Sequence, residues 1–284
     1  MIGIKTYYIQ KVDKPKKIVN KIRRAELEKQ KFYIYSKLEK ENDIKKIVKK
    51  MYQYDINNVV IEKKLYGNQK FIDYLNIYDV KIFDGRWIIK YLSFELLDYV
   101  IEKRKIKKQE TEMAITANEI TDSVIETIKI LAKTYKRVTV VTNHINKLRK
   151  IEKQLYEQEG ILIIISNNQK RSLLKPQIIL NMDFNNEALN KYKINENGVI
   201  INLEGNVKIE SKRFNGININ DYEIEIEDKK IFEIENLEEF YIKDLLEARI
   251  YRKDSFFNIR KSIISYKPII MDVYGTNGKI ERFS

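Results

Sequence analysis

Between residues 112 and 203 the sequence repeats one alternation, a short β-branched run followed by an apolar stripe at helical spacing. The runs are "EMAIT" (112–116), "VTVVT" (138–142), "ILIII" (161–165), "QIIL" (177–180) and "VIINL" (199–203). Between the first three, Val124, Ile128, Leu131, Ala132 and Tyr135, then Leu148, Ile151 and Leu155, fall on single helix faces. Strands that alternate with helices need crossover connections. The pattern therefore predicts a parallel sheet containing 138–142, 161–165, 177–180 and 199–203, covered by helices over 123–135 and 146–158. The unbroken "ILIII" and "VIINL" suit strands buried on both faces. Ser123-x-x-Glu126 has capping-box spacing, Gly160 suits a helix stop, and Asn185 can cap a short helix through Tyr192.

The flanking segments read differently. Before residue 108, "FYIYS" (32–36), "NVVIE" (58–62) and "DVKIF" (79–83) read as strands. In the helix "ENDIKKIVKKMYQYD", Ile44, Ile47, Val48 and Met51 make one face, and Lys45, Lys46, Lys49 and Lys50 fall on the other as a solvated face. "NQKFIDYLNIY" reads as a short helix. Asp84-Gly85 turns into a long helix, "RWIIKYLSFELLDYVIEKR", with Trp87 as a core anchor. The basic run 103–108, "KRKIKK", suits a helix end and marks a boundary. After residue 206 the period becomes two in "VKIESKRF", "YEIEIE" and "KIFEIE", as in partly exposed antiparallel strands. Asn236-x-x-Glu239 then opens a helix, and Asn277-Gly278 suits a hairpin turn between "IIMDVY" and "KIERF". The expected fold class is α/β in three parts. An N-terminal α/β domain (1–108) precedes a Rossmann-like parallel-sheet domain (109–205), and a C-terminal extension of strands, helix and hairpin (206–284) follows.

In open parallel sheets, ligands bind beyond the carboxyl ends of the strands. The residues there make a candidate ligand rim of Thr142, Asn143, His144, Ser166, Asn167, Asn168, Asp183 and Asn202. The competing reading is structural, because Asn, Ser and Asp end strands and cap helices in any protein.

The order of elements across 112–205, and the stretch "VTVVTNHINKLRKIEKQL" in particular, resembles the nucleotide-binding domain of the shikimate dehydrogenase and glutamyl-tRNA reductase group. That resemblance implies a turn at Thr142 and Asn143 lying near an adenosine ribose or its phosphate. The turn after the first strand, "TANEITDS" (116–123), departs from the pattern. A dinucleotide loop needs glycine for its tight turn and for close approach of the pyrophosphate, yet no glycine occurs between Gly85 and Gly160. Glu119 and Asp122 also place negative charge where a phosphate would lie. The sequence thus predicts a degenerate nucleotide-binding fold with no NAD or NADP and no other cofactor. Its turn should be closed by Thr121, Asp122 or Ser123 capping the next helix.

Other chemistries are narrowed by what the chain lacks. With no cysteine there is no thiolate chemistry, and a single histidine excludes His–His zinc motifs. No catalytic residue and no metal ligand is assigned. The opening "MIGIKTYYIQKVDKPKK" meets charge too early for a secretory core, and no apolar run is long enough to span a bilayer, so a cytoplasmic chain without membrane insertion is expected. The net charge of +13 permits a nucleic-acid partner. Its source in lysine, within a Lys-, Ile- and Asn-rich composition, favours dispersed charge instead. Three readings follow. The leading one is a non-catalytic binding or structural component, with a protein partner or its own copy. The second is an enzyme for a small nucleotide- or sugar-like ligand at the strand ends. The third is a nucleic-acid-associated protein with a lysine-rich surface.

Overall fold

The computed structural model describes residues 5–12, 17–18, 21–22, 24–276 and 279–283. Its contacts divide the chain into two compact units. One comprises residues 1–88, 225–255 and 261–268, and the other 89–224, 256–260 and 269–284.

The first unit is built on β1 (Tyr7–Lys11), β2 (Ala25–Glu28), β3 (Lys31–Ile34), α1 (Glu41–Gln53), β4 (Asn58–Ile61), α2 (Gln69–Ile77) and β5 (Lys81–Ile82). The sheet order is β2-β3-β1-β4-β5. Only β2 runs antiparallel to its neighbour, so β3-β1-β4-β5 is a parallel arrangement. As the periodicity predicts, α1 buries Ile44, Ile47, Val48 and Met51, and these pack with Ile9, Phe32, Ile34, Val59, Ile61, Phe71 and Leu75 in one core. The central strand β1 carries Tyr7 and Ile9 inward; its sequence, rich in tyrosine and flanked by lysine, gives no clean alternation to read.

Two helices, α3 (Arg86–Ile89) and, in the second unit, α4 (Ser93–Arg104), replace the single helix read from the sequence. The break has a cause. The Tyr91 carbonyl accepts from the Arg260 guanidinium, and the Lys90 carbonyl accepts from the Ser93 hydroxyl at 2.9 Å. Arg260 is held there by two bonds to Glu95, at 2.7 and 2.8 Å. After the αL residue Lys105 come β6 (Glu112–Thr116), α5 (Asp122–Thr134), β7 (Arg137–Val141) and α6 (Ile145–Glu159). Gly160, at φ +66°, ends α6 as expected. Next are β8 (Ile164–Ser166), β9 (Ile178–Asn181), α7 (Asn186–Asn190), β10 (Val199–Asn202) and β11 (Ile217–Ile219). All six strands are parallel, in the order β8-β7-β6-β9-β10-β11. Numbered along the chain this is 3-2-1-4-5-6, the Rossmann order.

The C-terminal expectations fare unevenly. β12 (Asp221–Glu225) and β13 (Ile269–Tyr274) form the antiparallel pair expected of this region. Residues 207–214 are not a strand. Their backbone is held by side chains, with Asn220 accepting from Val207 N–H, Asn186 from Lys208 N–H and Asn190 from Glu210 N–H. "KIFEIE" is also not a strand; it forms a 3-10 turn over Lys229–Phe232 and ends at Glu233 with φ +52°. The helix expected from Asn236 begins later, as α8 (Ile242–Ile250). Tyr274 and Ile280 form an antiparallel bridge, while Asn277 and Gly278 lie outside the described residues. Among the described residues no helix is long and apolar enough to cross a membrane.

Within the first unit, α8 carries two buried carboxyls one turn apart. Asp244 is fully buried; Tyr66 Oη donates to one of its oxygens at 2.6 Å and the other has no partner among the described residues. Glu247 is 2% exposed and also keeps one oxygen unpaired. Burial first, and then the charge of Asp84, push the Glu247 carboxyl from its ordinary 4.5 up to about 7, against Lys81 and the backbone N–H groups of Trp87 and Gly85. Asp244 is pushed up in the same direction, again by burial first, with Lys243 and Tyr66 opposing. The folded state thus holds the Glu247 proton more tightly than the unfolded chain. Its contribution is complete below about pH 4.5 and is lost as pH rises through about 7. We predict that urea midpoints fall across this window. Glu247→Gln should flatten the fall by an amount on the order of 3 kcal/mol, read by chemical denaturation from pH 4 to 8.

Candidate functional site

In a Rossmann order the strand direction of winding reverses between the first and fourth strands, here β6 and β9, and ligand crevices open beyond that point. The register sets Thr116 beside Asn181 and Asn181 beside Asn202, so three polar residues line up across neighbouring strand ends. They are buried and fully engaged. Thr116 Oγ1 donates to Asn181 Oδ1 at 2.6 Å, and Asn181 Nδ2 donates to Asn202 Oδ1 at 2.8 Å. Asn202 Nδ2 in turn donates to Asn218 Oδ1 and Asn220 Oδ1, at 2.9 and 3.0 Å. Asn218 and Asn220 pass the chain to the Val207 carbonyl. Asn202, a rim candidate from the sequence, is therefore 1% exposed and lies inside this ladder.

Asn181 also closes the 181–184 turn with both ends of its carboxamide, bonding Phe184 N–H and C=O at 2.9 Å each. That turn carries Asp183. Its carboxylate accepts from Asn118 N–H at 2.8 and 2.9 Å and from Glu119 N–H at 2.6 Å. These are the backbone donors of the glycine-free turn after β6. The sequence pointed to Glu119 and Asp122 as the charges filling this place; the carboxylate that bonds the turn comes from the end of β9 instead. The expected cap is present as well. Thr121 Oγ1 accepts from Val124 N–H at 3.4 Å and lies 2.8 Å from Ser123 Oγ.

The remaining candidates separate into two places. Thr142 is fully buried and its hydroxyl accepts from His144 N–H at 3.1 Å. Asn143, His144 and Asn167 line a shallow hollow of about 380 Å³ with Ile145, Asn146 and Lys147. Asn143 N–H donates to Asn118 Oδ1 at 3.2 Å, which ties that hollow to the β6 turn. Ser166 pairs with Ser172 at 2.7 Å, and Asn168 Oδ1 accepts from Lys170 N–H at 3.0 Å, so both hold the turn after β8.

Asp183 belongs to the other place, a crevice of about 150 Å³ lined by Lys90, Glu119, Thr121, Ser123, Asp183 and Glu204 together with Val124, Met182 and Leu203. Lys90, Thr121, Ser123 and Glu204 stand outside the rim that the sequence predicts. Glu204 lies two residues past β10, so the strand-end rule that singled out Asp183 also reaches it; Lys90 precedes α4 and carries no such signal. Partial burial and then Asp183 push the Glu204 carboxyl upward, with Lys90 opposing. Three carboxylates against one ammonium make the crevice net negative, which disfavours a phosphate and suits an amine or a hydroxyl-bearing ligand. Among the described residues no group of three or more His, Asp or Glu side chains is placed to hold a metal ion.

No protein-family model matches the chain, and no curated protein matches it. Among solved structures, it is similar to L-tryptophan dehydrogenase from Nostoc punctiforme at 9% identity, over 83% of this chain and 68% of that one, with a TM-score of 0.36. A transhydrogenase from Sinorhizobium meliloti is similar at 9% identity over 51% of this chain and 52% of its own, TM-score 0.28. Phosphate-bound aspartate transcarbamoylase from Trypanosoma cruzi is similar at 8% identity over 82% and 72%, TM-score 0.30. Likenesses this weak carry no functional weight, and the fold rests on the strand order and register.

Two substitutions separate the roles of these residues. Asn202→Ala strips partners from three buried carboxamides and the Ile219 carbonyl, and is expected to cost about 3 kcal/mol in urea denaturation. Asn143→Ala, at an exposed position, should stay within about 0.5 kcal/mol.

Proposed function

We propose that this chain is a binding or structural protein on a Rossmann sheet that works without a dinucleotide. One observation carries the reading. The Asp183 carboxylate takes the N–H groups of Asn118 and Glu119, the donors a pyrophosphate would need. A phosphate entering there would have to displace Asp183 and then lie beside Glu119 and Glu204. The crevice, at about 150 Å³, is also small against the ~300–1,000 Å³ of ordinary ligand pockets. A cytoplasmic location fits the same reading.

A second reading keeps a small ligand. Thr121 and Ser123 hydroxyls beside Asp183, Glu204 and Lys90 could engage a sugar-like or amine-bearing molecule, and an enzyme acting on such a ligand would use this crevice. The first reading is favoured because Asp183, the central carboxylate of the crevice, is already fully committed to the turn.

Calorimetric titration of the full chain with NAD and NADP at low salt tests the proposal. The expected outcome is no saturable heat. Saturable micromolar binding lost in Asn118→Ala or Asn143→Ala would overturn it. As a converse, Asp183→Ala combined with Glu119→Gln and Glu204→Gln should gain measurable affinity for inorganic pyrophosphate, which the wild type should lack.

A further inference from the structure

The lysines of α1 stand on the face opposite its buried residues, and the sequence alone reads them as a solvated surface. The structure sets them beside something more specific. Lys45, Lys46 and Lys49 line an open groove of about 430 Å³ whose other wall is Tyr74, Ile77 and Tyr78, from α2 and its end. Two side chains at this surface remain in water against their chemistry, Ile77 at 69% exposed and Tyr52 at 65%. The Tyr52 ring lies 6.1 Å from that of Tyr78.

The charges of the groove are unequal. Lys45 is held by Glu41 at 2.8 Å and sits 5.5 Å above the Tyr74 ring, whose hydroxyl donates to Glu41 at 2.7 Å. Lys46 and Lys49 form no hydrogen bond or ion pair with a described residue. Lys46 and Lys49 are spaced i and i+3 on one helix, and Lys45 and Lys49 i and i+4, a spacing at which like charges are neighbours on the helix surface. Several other lysines are paired with acids, as in Lys129 and Lys133 with Glu159, Lys108 with Asp98 and Lys191 with Glu187. In the α1 groove, Lys46 and Lys49 are left without an acid among the described residues, next to the half-buried Tyr74 and Tyr78 and the exposed Tyr52.

We infer that the α1–α2 groove binds single-stranded nucleic acid, with Lys46 and Lys49 on the phosphates and Tyr52 and Tyr78 stacking on bases. Uncompensated ammonium groups beside solvent-facing rings are the combination that holds single strands without sequence preference. A duplex would meet the lysines but keep its bases stacked away from the rings. A membrane surface would need a broad apolar face, and this groove offers one isoleucine among tyrosines.

The test is fluorescence anisotropy with labelled oligo(U) and oligo(dT), using the full chain at low and at physiological salt. Saturable binding is expected, weaker for a duplex of equal length. Lys46→Glu with Lys49→Glu should weaken it about tenfold or more and make the logarithmic salt slope shallower by about 1.4, the share of two phosphate contacts on a single strand. Tyr52→Ala should weaken it about tenfold without changing that slope. The control is Lys150→Glu with Lys212→Glu, exposed lysines whose reversal changes net charge equally. Equal loss in that control would reduce the effect to net charge and overturn the inference. So would absence of binding, or binding to phosphatidylserine vesicles but not to the oligonucleotides.

Discussion

A carboxylate clasped by two consecutive backbone N–H groups holds the centre of the Rossmann unit. Asp183 reaches from the end of β9 to Asn118 and Glu119 and joins the two strands at the point where the winding reverses. The turn after β6 needs no glycine because nothing larger than a side-chain carboxylate has to approach it. The first unit uses a similar arrangement. Glu62, one residue beyond β4 and 2% exposed, accepts the Lys11 N–H at 2.7 Å at the end of β1. In both sheets an acid one or two residues past a strand satisfies backbone donors at the end of its neighbour, and in both this occurs where open α/β sheets leave room for ligands.

Much of this architecture is legible because local periodicity and burial agree. The stripe Ile44, Ile47, Val48, Met51 is buried as its spacing requires, and the strands at 112–116, 137–141, 178–181 and 199–202 fall where β-branched runs place them. "ILIII", by contrast, is not buried on both faces: only Ile164–Ser166 is a strand, it lies at the sheet edge, and Leu162 and Ile164 are exposed. Failures occur where the deciding partner is distant in sequence. The helix read over 86–104 breaks because Arg260, 169 residues on, takes the Tyr91 carbonyl. Residues 207–214 alternate like a strand, yet Asn186 and Asn190 of α7 and Asn220 bond their backbone first. The rim was only half readable. Asp183 is identifiable by position, whereas its attachment to Asn118, 65 residues away, leaves no trace in composition or spacing.

The buried acids of α8 follow a different logic. Asp244 and Glu247 have raised affinity for protons because water is excluded, and each leaves an oxygen unpaired. Gly85 lies against the same helix. At φ +79° it takes a conformation open to glycine, and a Cβ there would stand 2.6 Å from the Lys243 chain. The close approach lets Gly85 and Trp87 N–H groups reach Glu247, which partly offsets its burial.

The polar ladder at the strand ends has a direction. Thr116 donates to Asn181, Asn181 to Asn202, Asn202 to Asn218 and Asn220, and Asn218 on to Thr276 at 3.3 Å. Every donor faces the same way across the sheet, from β6 towards β11. Turning the Asn202 carboxamide would set carbonyl against carbonyl on one side and amino group against amino group on the other. The rungs therefore hold their orientation collectively. A slip of one strand by one residue would break the bonds on both sides of it. From β6 to β11 the strand ends are joined as a single latch, in which each rung depends on the next.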